Sequence, residues 1–264
     1  MEQQIEDVFR KRKLNYTFVI GAVLLLYFSA ATVTKFHLVE GTASFGNAVV
    51  WMVHNLKVTP EAMKLLPKVA DKLIETALLS VAVTMLASIL AFVASLFGSS
   101  ATGFSGIVNR LVRMFAAFFR NVPDVVWAML LMFSFGQNIL TGFFALFFTT
   151  FGMLTRAFIE NIDEVSADCI EALNATGANF AQTVCQGILP SMITEIITWI
   201  LYMIETNIRS STLIGILTAT GIGYLLDLYY KRLDFPVVAL IVAATIVLVI
   251  GIELVSNAVR KVIM

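Results

Sequence analysis

The sequence predicts an all-α, polytopic membrane protein with about six transmembrane helices, because it is strongly apolar and its apolar residues form long segments. Hydrophobic residues make up 59% of the 264 residues and charged residues 14%, whereas a soluble domain usually carries about 25% charged residues. A chain of this length has too small an interior to hide so much apolar surface from water. We therefore expect lipid to surround most of it.

Six apolar segments are interpreted as membrane spans, since a helix needs about 20 mostly apolar residues to cross a bilayer. The first follows a basic cluster, Arg10 to Lys13, as the apolar part of a signal peptide would, but it is longer and lacks a cleavage site of small residues. We interpret it as a retained helix. A polar break that begins at Gly136 separates the third segment from the fourth. The predicted spans are residues 16–34, 76–97, 121–135, 139–159, 188–204 and 235–252.

An even number of spans puts both termini on the same side of the membrane. That side holds ten Lys and Arg residues and the other side seven, and cytoplasmic segments carry the excess of these residues. Both termini are therefore predicted to be cytoplasmic, in a cell (inner or plasma) membrane. The predicted parts are a cytoplasmic N-terminus (1–15), the first span (16–34), an extracytoplasmic segment (35–75), a core domain (76–258) with a long cytoplasmic loop (160–187), and a cytoplasmic C-terminus (259–264).

The extracytoplasmic segment is expected to hold a short interfacial helix, followed by an irregular approach to the second span. Two prolines, Pro60 and Pro67, are the reason for expecting an irregular approach, because proline interrupts helical hydrogen bonding.

The chain lacks the residue patterns that enzymatic chemistry would need. No lysine follows a glycine, so the phosphate-binding P-loop is excluded. The two histidines, His37 and His54, do not have the spacing of metal ligands, and there is no Gly-x-Ser-x-Gly sequence. Acidic and basic residues balance at 18 each, which leaves no basic field for nucleic acid. We expect a protein that is not an enzyme and holds no cofactor itself.

The long loop has the pattern of a helix–turn–helix. Asn161 is followed three residues later by Glu164, a capping box that would start the first helix. Gly177 would end that helix in a left-handed conformation, and Asn179 with Gln182 would cap a second helix. Such a loop is either a solvated connector or a lever that docks into another protein.

Five residues in and after the long loop stand at a characteristic spacing: Glu171, Ala172, Gly177, Leu189 and Pro190. This pattern resembles the Glu-Ala-Ala loop of ABC importer permeases. The resemblance implies that a short helix of the loop sits in a cleft of a separate ATPase subunit, which binds ATP and Mg, and that these five residues couple the two subunits. The chain departs from the family pattern at Leu173, where the family usually has Ala, and at Gly187, where it prefers Ile.

A polar segment, residues 205–212, follows the predicted fifth span. A charge at the bilayer centre costs about 2.5–3.5 kcal/mol, so these side chains need a reason to be there. Glu205 and Arg209 are four residues apart and can form an ion pair, in which case Arg209 is structural. Alternatively, Arg209 lines a path for an anion, because its planar guanidinium suits phosphate-like oxygens. The candidate path residues are Glu205, Asn207, Arg209, Ser210 and Ser211.

The same segment, together with Gly221-Ile222-Gly223, Arg120-Asn121-Val122-Pro123-Asp124 and Glu75-Thr76, resembles the phosphonate-type ABC importer permeases, which are near the methionine importer permeases. The resemblance covers residues 75–258 and implies the fold of a type I importer permease. Thr218 and Thr220 depart from the family pattern, since they replace two glycines that the family usually has.

That resemblance implies a transport subunit and its assembly. Two permeases, two copies or two paralogues, would form the translocation path, with ABC ATPase subunits beneath and an extracytoplasmic binding protein delivering a phosphonate or related phosphorus oxyanion. Two alternatives stay open: an ABC permease for another small solute such as an amino acid, and an ion-coupled secondary transporter. The secondary transporters often show inverted repeats, and none is visible here.

Overall fold

A computed structural model describes the backbone of residues 2–35, 38–102, 105–165 and 167–263, and the side chains of most of them. Throughout these ranges the regular structure is helical, which confirms the predicted all-α class. The chain forms two compact units, residues 1–55 and 56–264.

The first unit consists of two helices, α1 (Glu2–Thr34) and α2 (Leu38–Asn55). From residue 11 onwards, the apolar side chains of α1 are almost all exposed, as expected of a helix whose solvent is lipid.

The second unit holds the remaining helices, and the three at its centre are α4, α7 and α10. Its helices are α3 (Pro60–Met63), α4 (Leu66–Gly98), α5 (Gly106–Asn121), α6 (Asp124–Phe135), α7 (Ile139–Val165), α8 (Ala167–Ala175), α9 (Phe180–Gln182), a π-helical turn (Thr183–Ile188), α10 (Leu189–Thr218), α11 (Gly221–Lys231) and α12 (Phe235–Ile263). Ser80, Thr84, Ala87 and Ala91 of α4 are fully buried. Small residues on such a face let neighbouring helix backbones approach closely.

The predicted irregular approach to the second span is wrong. Residues 60–63 form α3, and α4 begins at Leu66, ten residues before the predicted span. Pro60 and Pro67 each lie in the first turn of a helix, where the missing N–H costs nothing and the fixed φ favours the helical conformation. The prolines therefore start these helices instead of interrupting them.

By length and composition, five stretches of the described chain are able to cross a membrane, and α5 with α6 counts as a sixth if the bent pair forms one span. This agrees with the six predicted spans, but several helices extend beyond the predicted bounds. The third segment starts at Gly106 instead of residue 121 and bends by 89° before α6. Pro123 explains the bend, because the residue before a proline avoids the helical conformation.

The fifth span is also longer than predicted, since α10 continues to Thr218 instead of ending near residue 204. The polar segment 205–212 therefore lies inside a continuous helix and not at its end. Hydrogen bonds and an ion pair, described below, engage Glu205, Asn207, Arg209 and Ser211 of this segment.

The two ends of the bundle are recognised by contacts between distant parts of the chain. At the loop end, Ser99 Oγ, after α4, donates to Asp163 Oδ1 near the end of α7 at 2.6 Å. At the opposite end, called the Gly136 end, Gln137 Nε2 donates to Leu217 O at 3.1 Å. α4 and α7 thus run towards the loop end, and α10 runs away from it.

Candidate functional site

The long loop folds as the predicted helix–turn–helix. α8 ends at Ala175, and Gly177 follows two residues later with a φ of +81°, the left-handed conformation that glycine adopts without strain. Ala178 N donates to Leu173 O at 3.1 Å and Gly177 N donates to Asn174 O at 3.0 Å. This pair of bonds is the Schellman motif, which closes a helix end by satisfying its last carbonyls.

The second predicted capping box is present and the first is not. Asn179 N donates to Gln182 Oε1 at 2.8 Å, and Gln182 N donates to Asn179 Oδ1 at 2.9 Å. Asn161, in contrast, lies within α7, which continues to Val165, so the predicted helix start there is wrong. The backbone at Asn161 is already held in the helical ladder, which leaves no free helix end to cap.

Two residues that depart from the family pattern meet inside this hairpin. A Cβ atom added at Gly187 would lie 2.6 Å from Leu173 Cδ1 and 3.3 Å from Cys169 Sγ. The bulk of Leu173 therefore fills the space that a side chain at position 187 would need.

The five coupling candidates, Glu171, Ala172, Gly177, Leu189 and Pro190, are all exposed at the loop end. Pro190 lies in the first turn of α10, directly after the π-helical turn. Their contact with an ATPase stays a prediction, and their exposure is the condition it requires.

A clasp that the sequence did not suggest holds the base of the loop. Asp163 Oδ1 accepts from Ser99 Oγ at 2.6 Å and from Ser100 N at 2.9 Å, and its Oδ2 lies 2.6 Å from Arg113 Nη2. Arg113 Nε donates in addition to Gly98 O at 3.0 Å. One carboxylate thus ties the end of α7 to the end of α4 and to α5. The only signal in the sequence was an acidic residue at the end of an apolar segment.

Two of the predicted path residues face the interior of the bundle. Asn207 is 3% exposed; its Nδ2 donates to Thr84 Oγ1 at 2.9 Å, and its Oδ1 accepts from Thr150 Oγ1 at 3.1 Å. Ser211 is also buried, and Ser80 Oγ donates to its Oγ at 3.4 Å. These residues connect α10 with α4 and α7 through buried hydrogen bonds.

The charged path candidates lie on another side of α10. The predicted ion pair is present, with Arg209 Nη2 3.0 Å from Glu205 Oε1, and the side chain of Arg209 is 53% exposed. Glu205 is only 13% exposed, and its Oε2 lies 3.9 Å from Arg260 Nη2 of α12. Ser210 is half-buried. No pattern in the sequence predicted Arg260 at this position, since it resembled an ordinary basic residue after the last span.

Glu75 and Thr76, which are neighbours in α4, both bind the start of α11. Gly221 N donates to Glu75 Oε1 at 3.1 Å and Ile222 N donates to Thr76 Oγ1 at 2.9 Å. Two side chains of α4 thereby satisfy N–H groups that the start of a helix leaves free. Nearby, the hydroxyls of Thr218 and Thr220 lie 2.9 Å apart as a hydrogen-bonded pair.

Comparison with known families and proteins adds three findings. Residues 87–263 match the model of the binding-protein-dependent transport system inner membrane component family. The phosphate-import permease protein PhnE of Mycolicibacterium smegmatis is 29% identical over 191 residues, which are 72% of this chain and 36% of that protein. The phosphite transport system permease protein PtxC of Stutzerimonas stutzeri is 28% identical over 189 residues, 72% of this chain and 69% of that protein. The match thus spans little more than a third of the mycobacterial protein's length.

Among solved structures, the inward-facing MetNI methionine ABC transporter has a chain of similar fold. The TM-score is 0.67 at 18% identity, over 78% of this chain and all of that chain. This likeness concerns the fold and confirms the predicted architecture of an ABC importer permease.

Proposed function

Because this chain belongs to the family of binding-protein-dependent transport system inner membrane components, we propose that it is the multi-pass permease subunit of an ATP-driven importer. The family match, over residues 87–263, is the observation that carries this proposal. The exposed helix–turn–helix at the loop end supports it, since a permease without its own P-loop needs a surface through which a separate ATPase can act.

Coupling would run from the loop into the spans. An ATPase that closes on Glu171, Ala172 and Gly177 would move α8 together with the end of α7. The Asp163 clasp joins that end to α4 and α5, so the three helices would move as a unit. Leu189 and Pro190 begin α10 directly after the loop and would pass the same movement to the polar segment. This is a rigid-body switch of the kind that alternating access requires.

The importer would contain partners that this chain does not supply. ABC ATPase subunits would bind ATP and Mg, and a substrate-binding protein would deliver the solute outside. A second permease, another copy or a paralogue, would complete the path. Arg209 supports this last point, because a half-exposed arginine within a candidate membrane span is costly unless it faces protein or a water-filled path.

The proposed solute is a phosphonate or a related phosphorus oxyanion. The relatives named for phosphate and phosphite support this class. Within the path, Arg209 and Ser210 would contact the solute, and Glu205 would hold Arg209 in place. Asn207 and Ser211 would act by keeping α10 against α4 and α7. The alternative is an importer of another small solute, and a transport assay distinguishes the two.

The test is uptake by proteoliposomes that contain this permease with the ATPase and binding protein of the same transport system. We expect accumulation of labelled methylphosphonate that requires ATP and survives ionophores. Uptake that requires an ion gradient and not ATP would instead identify a secondary transporter. ATP-dependent uptake of an amino acid, without uptake of methylphosphonate or phosphite, would support the proposed permease function. It would contradict the proposed solute class.

Both termini are proposed to be cytoplasmic, which places Cys169 and Cys185 inside and Thr59 outside. A membrane-impermeant thiol reagent applied to intact cells should label Thr59→Cys and spare the two native cysteines, of which Cys185 is exposed in the folded chain. Permeabilised cells supply the control, since Cys185 should then react. Labelling of Cys185 in intact cells would reverse the orientation.

A further inference from the structure

Two arginines from different helices share a single carboxylate in the second unit. Glu205 Oε1 lies 3.0 Å from Arg209 Nη2, and Glu205 Oε2 lies 3.9 Å from Arg260 Nη2. Among the side chains that the structure describes, Glu205 is the one acidic partner of either arginine. The group therefore carries two positive charges and one negative charge.

The environment makes this excess charge costly. Glu205 is 13% exposed and Arg260 is 27% exposed, and both lie in helices apolar enough to span a membrane. In the described part of the chain, the buried Nε of Arg260 has no hydrogen-bond partner. A partly buried guanidinium with an unused N–H and an incomplete counter-charge is stabilised by an anion.

Arg260 also differs from an arginine that only anchors a helix at the membrane surface. Such a side chain extends its charged group towards water. The guanidinium of Arg260 turns instead towards Glu205, in the middle of α10. It borders a cleft of about 700 Å³ lined by Leu254, Asn257, Ala258, Arg260 and Lys261. Among the described residues, the polar side chains that line this cleft are Asn257, Arg260 and Lys261.

We propose that Arg209 and Arg260 form a binding site for a phosphate-class anion, with Glu205 as the positioning residue that holds both guanidiniums when the site is empty. A doubly charged anion takes N–H donors from each arginine, and their planar geometry matches its oxygens. Two sources present this chemistry: a transported phosphorus oxyanion and the headgroup of an anionic lipid. The first source rests on the proposed function, and the second does not.

The experiment uses the complete permease–ATPase–binding-protein complex in phosphatidylcholine vesicles, with and without phosphatidylglycerol. Arg260→Gln is expected to raise the KM for methylphosphonate by about tenfold in both vesicles if the oxyanion is the ligand. If the lipid is the ligand, wild-type uptake requires phosphatidylglycerol and Arg260→Gln loses that dependence without a change in KM. Either result supports the site. An unchanged KM together with an unchanged lipid dependence would overturn it.

Two further variants separate binding from folding. Glu205→Gln frees both arginines, so the anion is held more tightly; we expect KM and the maximal rate both to fall. A purely structural ion pair predicts instead that Glu205→Gln with Arg260→Gln restores normal uptake, and that outcome would contradict the proposal. Arg156→Gln is the matched control, because Arg156 forms an exposed i,i+4 pair with Glu160 on α7. It should leave KM unchanged.

A failure of the proposed function can be distinguished from a failure of the proposed anion site. If the wild-type complex takes up no phosphorus oxyanion, the proposed solute is wrong, and retention of phosphatidylglycerol by the purified complex decides the site alone. Native mass spectrometry should then show less retained lipid for Arg260→Gln than for wild type and Arg156→Gln. Equal retention in all three would remove the site.

Discussion

Two turns of this protein depend on glycine for different reasons. Gly221, the first residue of α11, and Gly177, in the long loop, both have positive φ, +55° and +81°. A Cβ atom at Gly221 would lie 2.4 Å from Thr76 Oγ1, whereas one at Gly177 would meet nothing within 4 Å. At the Gly136 end, glycine sets how closely helices pack. At Gly177, glycine sets only the direction of the chain.

The glycines next to Gly221 extend this contrast. A Cβ atom at Gly223 would lie 2.1 Å from Thr212 O, and one at Gly215 would lie 2.4 Å from Thr220 O. The backbones of α10 and α11 are therefore in direct contact, as at small-residue helix crossings in membranes. We conclude that glycine allows close packing where α10 meets α11, whereas Gly177 serves the turn of an exposed loop.

The largest expected effect follows from Gly223→Ala. The new methyl group meets backbone atoms that cannot rotate away, and we expect a loss of about 3 kcal/mol or more in the stability of the folded permease. Thermal unfolding of the detergent-solubilised complex, followed by size-exclusion chromatography, measures it. Gly251→Ala is the control, because a Cβ atom there meets nothing within 4 Å. Equal melting temperatures for the two variants would contradict close packing of α10 on α11.

A second test compares the two left-handed turns directly. Alanine at either Gly221 or Gly177 costs about 1–2 kcal/mol for the left-handed conformation. Gly221→Ala also collides with Thr76, which caps α11, so its melting temperature should fall further than that of Gly177→Ala. If the two variants have the same melting temperature, the closer packing at Gly221 does not contribute measurably to the stability of the folded permease.

Gly177→Val tests whether the turn at Gly177 is needed for transport. Valine resists positive φ more strongly than alanine, so the Schellman turn should open and the loop should point elsewhere. We expect membrane insertion to be retained and uptake to fall at least severalfold, measured with the ATP-dependent assay. Crosslinks from residues 165–178 to the ATPase should weaken in parallel. Full uptake by this variant would mean that the loop is not a lever.

The smallest effect concerns Leu173 and Gly187. Gly187→Ala should destabilise the hairpin only modestly, because the atom it meets is the flexible end of a leucine. Leu173→Ala should remove the collision, so the double variant should be more stable than the sum of the single effects by about 1 kcal/mol. Hydrogen exchange of the α8 amides measures this coupling. Strict additivity would show that the two side chains do not share space.

The two predicted capping boxes show where local patterns succeed and fail. Asn179-x-x-Gln182 follows a helix end that Gly177 produces by its own conformation, so the prediction needed only neighbouring residues. Asn161-x-x-Glu164 has a similar pattern, yet α7 continues through it. The difference is long-range, because Asp163, two residues before the end of α7, is held by Ser99 and Arg113.

The sequence by itself determined the features that depend on composition or on spacings of up to about five residues. These are the helical membrane class, the five or six candidate spans, the turn at Gly177 and the ion pair of Glu205 with Arg209. Only the tertiary structure decided that Asn207 faces Thr84 and Thr150, that Glu75 and Thr76 cap α11, and that Arg260 reaches Glu205. The physical reason is that a helical pattern specifies which residues share a face, but not the rotation and register in which that face meets another helix.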